Sequence, residues 1–160
     1  MDKNENLITK AYVKENRLLH ETTNFGQQNH SINNRIVEII HAASKIGVCN
    51  SVLDYGCGKG LLVKQLANKL PNLNINGYDP GISKFSSFRS SSDIITCLDV
   101  LEHIENNKIN AVLDDISSKT LNFFIGIIDL LPAKKVLSDG RNAHILIAPP
   151  GWWMDKLTEK

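Results

Sequence analysis

The β-forming run Ser51-Val52-Leu53-Asp54-Tyr55 breaks into Gly56-Cys57-Gly58-Lys59-Gly60, and Leu62, Leu66 and Leu70 then recur at helical spacing. This strand, glycine loop and helix constrain the fold more than any other feature of the chain. Three glycines without a Cβ let the backbone turn sharply and let a ligand approach it closely.

The alternation continues on both sides of the loop. Ile32, Ile36, Ile39, Ile40, Ala43 and Ile46 repeat with a helical period that Gly47 ends. Pro71 closes the helix after the loop, and Ile75-Asn76-Gly77-Tyr78 reads as a second strand that stops at Asp79-Pro80-Gly81. Residues 93–98 form a third apolar strand, and residues 107–118 carry Ile109, Val112, Leu113 and Ile116 on one helical stripe. The first part of the apolar run 121–131 reads as a fourth strand. Residues 143–147 read as a further strand or an extended segment, and residues 152–159 as the start of a helix. The first thirty residues are polar with sparse anchors at Tyr12, Leu18, Leu19 and Phe25, and read as a cap laid over the body. The expectation is one α/β domain over residues 1–160, with a mainly parallel sheet, flanking helices and right-handed crossovers. Ligands of such sheets bind outside the carboxyl ends of the strands. That rule singles out Asp54-Tyr55-Gly56, Asp79-Pro80 and Asp99-Val100.

The chemistry of the loop narrows the ligand. A phosphate-binding loop needs a Lys-Ser/Thr pair, but Lys59 is followed by Gly60. The dinucleotide fingerprint wants its third glycine three positions after the second, and here the interval is two; Asp54 would also repel a pyrophosphate. S-adenosylmethionine (SAM) carries an ammonium and a sulfonium and no phosphate, so an acid at the first strand's end favours it. Asp79, 19 residues after Gly60, can accept both hydroxyls of a ribose. That acid suits SAM and NAD alike.

With the third strand end, Leu98-Asp99-Val100-Leu101-Glu102-His103-Ile104, the sequence resembles the class I SAM-dependent methyltransferase superfamily. Residues 52–60 look like its first motif, Gly77-Tyr78-Asp79-Pro80 like its ribose-binding acid, and residues 98–104 like the post-sheet motif of many small-molecule members. The resemblance covers roughly residues 31–130 and implies a Rossmann-like fold. It implies SAM contacts from Asp54, Tyr55, Gly56, Cys57, Gly58, Gly60, Asp79, Pro80, Asp99 and Val100, with S-adenosylhomocysteine as product. Two departures stand out. Only 13 residues separate Asp79 from Asp93, so the sheet is shortened between the second and third recognised strands. The chain reaches Lys160 without the family's final hairpin, which leaves an open sheet edge that a second copy could cover.

Methyl transfer from a sulfonium needs an in-line nucleophile and, for a hydroxyl, a base. His103, after the third strand end, and His144 are the candidates for that role. Arg141 and Asn142 are candidates for holding the acceptor or for bracing their loop. Trp152, beside Trp153, is a candidate aromatic wall over the acceptor or a packing residue of the last helix. Phe25-Gly26 and Gln27-Gln28 could form a lid on the methionine end. Asp99, Glu102, His103 and His144 also make a possible oxygen and nitrogen ligand set, similar to that of metal-dependent small-RNA 2′-O-methyltransferases. No metal is the favoured expectation.

With 18 basic and 17 acidic side chains the net charge is +1, which argues against a nucleic-acid binder. No apolar run approaches a membrane span, and the polar amino terminus lacks a signal-peptide core. Cys49, Cys57 and Cys97 show no paired spacing and fit a reducing compartment. The expected address is the cytoplasm. The expected activity is methyl transfer to an O or N atom of a small-molecule or glycan acceptor. A SAM-binding protein or subunit without catalysis, or a metal-assisted RNA 2′-O-methyltransferase, is the alternative.

Overall fold

The structure is a computed structural model that describes residues 6–22, 30–87 and 90–160. The proposed lid residues Phe25, Gly26, Gln27 and Gln28 lie outside the described residues. Among the described residues, five helices and four strands follow in chain order: α1 (Lys10–Thr22), α2 (His30–Lys45), β1 (Ser51–Tyr55), α3 (Leu61–Lys69), β2 (Asn74–Tyr78), β3 (Ser92–Leu98), α4 (Ile109–Lys119), β4 (Thr120–Ile127) and α5 (Pro150–Thr158). The sheet order is β2-β1-β3-β4, and every pairing is parallel. The order reverses around β1, so the crevice at the ends of β1 and β3 is the topological switch point where ligands of open α/β sheets bind.

Each strand is fixed by the cores it separates. Along β1, Val52 enters a cluster with Ile36, Val37, Ile40, Leu62 and Leu66, while Leu53 enters one with Ile95, Val112, Leu113, Ile116 and Trp153. Burial on both faces is why β1 and β3 read as continuous apolar runs rather than alternating ones. α2 buries Ile36, Val37 and Ile40 but leaves Ile39 and Ile46 exposed, so its inward stripe is narrower than the isoleucine repeat suggests. The helix stops where Gly47, at φ +79°, takes a left-handed conformation.

Between β2 and β3 the described chain forms only a short 3-10 turn at Ser83–Phe85, which agrees with the shortened interval. β4 is an outer strand of the sheet, and its Leu121 and Phe123 side chains are exposed. No further strand follows among the described residues. Residues 143–147 do not become one: the segment 128–149 is irregular and makes a single antiparallel bridge, Val136 to Asn142. It arches back over the strand ends, held there by the Leu146 N–H donating to the Glu102 carbonyl (3.0 Å) and the Asp129 N–H donating to Glu102 Oε1 (2.9 Å). Three buried cysteines are free thiols. No helix among the described residues is long and apolar enough to cross a membrane.

Candidate active site

A cavity of about 280 Å³ opens at the switch point. Its floor is the ends of β1, β2 and β3, through Tyr55, Gly56, Gly58, Asp79, Asp99 and Val100. The glycine loop is tied to the second strand, because the Gly56 and Cys57 N–H groups both donate to the Tyr78 carbonyl (2.7 and 3.0 Å). Gly56 has a second reason to be glycine. It sits at φ +77°, and a Cβ there would lie 2.4 Å from Val100 Cγ2. The loop and the third strand end are thus in direct contact.

Asp79 is held from both sides. Its Oδ2 accepts the Gly58 N–H (2.9 Å) and its Oδ1 the Gly81 N–H (2.8 Å), which fixes the carboxylate plane at the cavity wall. Asp99 takes φ +54°, an uncommon conformation for a residue with a side chain, and its N–H donates to the Ile127 carbonyl (2.9 Å). Asp54 lies behind the loop. It is wholly buried; Oδ1 accepts the Thr96 hydroxyl (2.8 Å), while Oδ2 has no hydrogen-bond partner among the described residues. Burial, helped by the Asp79 charge and opposed by the Thr96 hydrogen bond, pushes its carboxyl up to about 7.

Seven of the expected cofactor residues line the cavity: Tyr55, Gly56, Gly58, Asp79, Pro80, Asp99 and Val100. Asp54, Cys57 and Gly60 are not on its wall. Cys57 is buried against β2, its Sγ beside Gly77, and Gly60 caps α3. The Tyr55 hydroxyl points away from the loop and donates to Asp115 Oδ2 on α4 (3.0 Å), so the ring alone faces the cavity.

The two histidines converge. His103 lines the cavity, and its ring meets that of His144 edge-on with centroids 4.7 Å apart. His103 Nδ1 lies 2.7 Å from the Ala143 carbonyl, and His144 Nδ1 2.5 Å from the Leu131 carbonyl. A carbonyl can only accept, so each Nδ1 carries a proton, and on a neutral His103 the lone pair is on Nε2. Burial, opposed by the Ala143 hydrogen bond, pulls His103 down to about 4, so the ring is neutral at physiological pH. Glu102 is buried beneath them. Its Oε2 has no hydrogen-bond partner among the described residues, and burial pushes its carboxyl up to about 7. One ligand atom from each of Glu102, His103 and His144 falls within 4.8 Å of the others; Asp99 is not part of that group.

The three expected acceptor residues are not on the cavity wall. Arg141 is engaged by Asp139 (Nη2 to Oδ2 2.6 Å, Nε to Oδ2 2.8 Å), and its guanidinium lies 5.7 Å from the centre of the Tyr12 ring. Asn142 is a brace: its Oδ1 accepts the Ala133 and His144 N–H groups, and its Nδ2 donates to the Ala133 carbonyl, all at 2.9 Å. Both line a separate open groove with Glu105, Asn107 and His144. Trp152 packs at the start of α5 against the core that buries Trp153. The sequence reading missed the opposite wall, which α1 and its approach supply through Leu7, Ile8, Asn16 and His20. Polar Asn16 and His20 fall at four- and eight-residue intervals from the anchor Tyr12, and that spacing was the available signal.

Comparison with known proteins shows the family and the fold. The family model described as a methyltransferase domain matches residues 28–121, more than half of the chain. A malonyl-[acyl-carrier protein] O-methyltransferase of Acetivibrio thermocellus is 29% identical over 111 residues, covering 67% of this chain and 38% of that protein. This chain therefore spans well under half the length of that relative. An O-methyltransferase family protein from Burkholderia thailandensis shares the fold, with a TM-score of 0.55, 11% identity, and coverage of 96% of this chain and 57% of that one. DhpI, solved with S-adenosylhomocysteine, matches with a TM-score of 0.51, 13% identity, and coverage of 96% and 87%.

Proposed function

Because the chain belongs to the methyltransferase-domain family, we propose that it transfers the methyl group of SAM to an O or N atom of a small-molecule or sugar-containing acceptor. One observation carries this reading: a single cavity has a rigidly oriented acid, Asp79, on one wall and His103 at another, with His144 packed edge-on against His103 from the neighbouring groove. Asp79 would hold the ribose diol of SAM by accepting its hydroxyls, and the glycine loop and the Asp99-Val100 turn would hold the methionine part. Asp54, behind the loop, would complement the cofactor's positive charge once ionised. His103 lines the same cavity as Asp79 and would meet the acceptor there. SAM, when bound, would supply its sulfonium methyl to an in-line O or N nucleophile of the acceptor, with S-adenosylhomocysteine as the leaving group. His103, neutral at physiological pH, accepts the hydrogen bond of the acceptor's O–H or N–H through Nε2 and orients its lone pair. The released proton goes to water, which reaches His144 through the open groove.

A second reading is carried by Glu102. Its buried Oε2 and the two imidazoles form a donor set suited to a divalent cation such as Mg²⁺, Mn²⁺ or Zn²⁺. A cation there would polarise the acceptor oxygen in place of the imidazole hydrogen bond.

Incubation with labelled SAM and pools of hydroxylated and amino acceptors tests the proposal, with and without chelator. Turnover that survives chelation and falls in His103→Ala without loss of S-adenosylhomocysteine affinity supports the first reading. Turnover abolished by chelator and restored by one metal supports the second. Cofactor binding with no turnover on any pool would leave a binding protein.

A further inference from the structure

α1 supplies Asn16 and His20 to the cavity wall, and the two stand one helical turn apart on the same face of the helix. Both pack on the turn after β2. A Cβ placed on Gly81 would meet His20 Cδ2 at 3.4 Å and Asn16 Cβ at 3.6 Å. His20 Nε2 lies 3.9 Å from Asp79 Oδ2, with both side chains buried (5% and 11% exposed). That separation is too long for a hydrogen bond, which places donor and acceptor about 2.7–3.2 Å apart. It is also the span that a single hydroxyl oxygen closes, sitting about 2.8 Å from each group. A hydroxyl has the right valence for the position, since it donates to a carboxylate and accepts from an imidazole N–H at once. Beside them, Asn16 Oδ1 is buried with no hydrogen-bond partner among the described residues, and is an acceptor turned to the same cavity.

We propose that His20 and Asn16 are cofactor-binding residues of α1. One ribose hydroxyl of SAM bridges Asp79 and His20, and Asn16 Oδ1 accepts a second N–H or O–H donor of the nucleoside. The inference rests on the reading of Asp79 as the ribose acid. It makes α1 the outer wall of the nucleoside site rather than a cover packed on the sheet.

The test is a double-mutant cycle between protein and ligand, read by calorimetry. S-adenosylhomocysteine and its 2′-deoxy and 3′-deoxy analogues are titrated into the parent, His20→Ala, His20→Gln and Asp79→Ala. For the parent, one deoxy analogue should bind at least about tenfold more weakly than S-adenosylhomocysteine. His20→Ala should weaken S-adenosylhomocysteine by about tenfold, and the penalty for that same deoxy analogue should shrink to about threefold or less. His20→Gln, which keeps an N–H donor, should recover part of both; it also serves if His20→Ala fails to fold. An undiminished deoxy penalty in both His20 variants, with the penalty lost in Asp79→Ala, would overturn the role of His20 while sparing that of Asp79. If neither deoxy analogue loses affinity for the parent, the ribose reading of Asp79 fails and this inference falls with it.

Discussion

Asp54→Asn removes one charge and almost no volume. The asparagine carbonyl still accepts the Thr96 hydroxyl, so the hydrogen bond of the buried side chain survives. In the folded apo protein the Asp54 carboxyl titrates at about 7, against an ordinary value of 3.8. Between those values the folded chain holds a proton that the unfolded chain has released. Wild-type stability from this group is therefore fully present below about pH 4 and is lost as pH rises toward 7. About three pH units at 1.36 kcal/mol each give a loss on the order of 4 kcal/mol, and relaxation around the site brings the expected value to about 2–4 kcal/mol. Asparagine has no such titration. Urea denaturation of apo protein at pH 4.5 and pH 8 should show the variant gaining about 2–4 kcal/mol on the parent between the two. The same variant should bind SAM more weakly at pH 8, because the cofactor's cationic end has lost its counter-charge. A stability difference that stays constant from pH 4.5 to 8 would refute the argument that burial holds the proton on Asp54.

Gly56→Ala should cost about 1–3 kcal/mol, because the new Cβ meets Val100 and the residue sits at positive φ; adding Val100→Ala should restore the packing part but not the conformational part, as thermal melts of both would show. Asn142→Ala removes three hydrogen bonds that shape the segment around His144, so it should lower stability by about 2–3 kcal/mol and reduce turnover more than cofactor affinity. Trp152→Ala should destabilise the fold by about 1–2 kcal/mol through lost packing, and calorimetry should find its affinity for S-adenosylhomocysteine unchanged.

The sheet and its ligand end were legible because they rest on local rules. Glycines at Gly47 and Gly56 mark turns that only a residue without Cβ makes easily, and β1 and β3 are apolar because both of their faces are covered. The convergence of His103 and His144 could be anticipated from topology, since one follows a strand end and the other lies on a segment returning over the sheet. For Arg141, Asn142 and Trp152 the sequence left two readings open, contact with the acceptor or bracing and packing. A polar or aromatic residue near a site has the same spelling whether it meets a ligand, a neighbouring carboxylate or a core. Asp139, the Ala133 backbone and the core around Trp153 claim these three. The α1 wall escaped notice for a related reason: Asn16 and His20 look like solvent-facing residues of a polar helix until the turn at Asp79 is seen beneath them.

The central claim is that the cavity between α1 and the strand ends holds SAM by its ribose on Asp79. Calorimetric titration of SAM, S-adenosylhomocysteine and NAD into the parent and Asp79→Ala tests it most directly. The account predicts one site for SAM and S-adenosylhomocysteine, no binding of NAD, and an affinity for both ligands reduced on the order of tenfold to a thousandfold in Asp79→Ala with the fold intact. Tight NAD binding with no response to S-adenosylhomocysteine, or a folded Asp79→Ala that binds SAM like the parent, would contradict it.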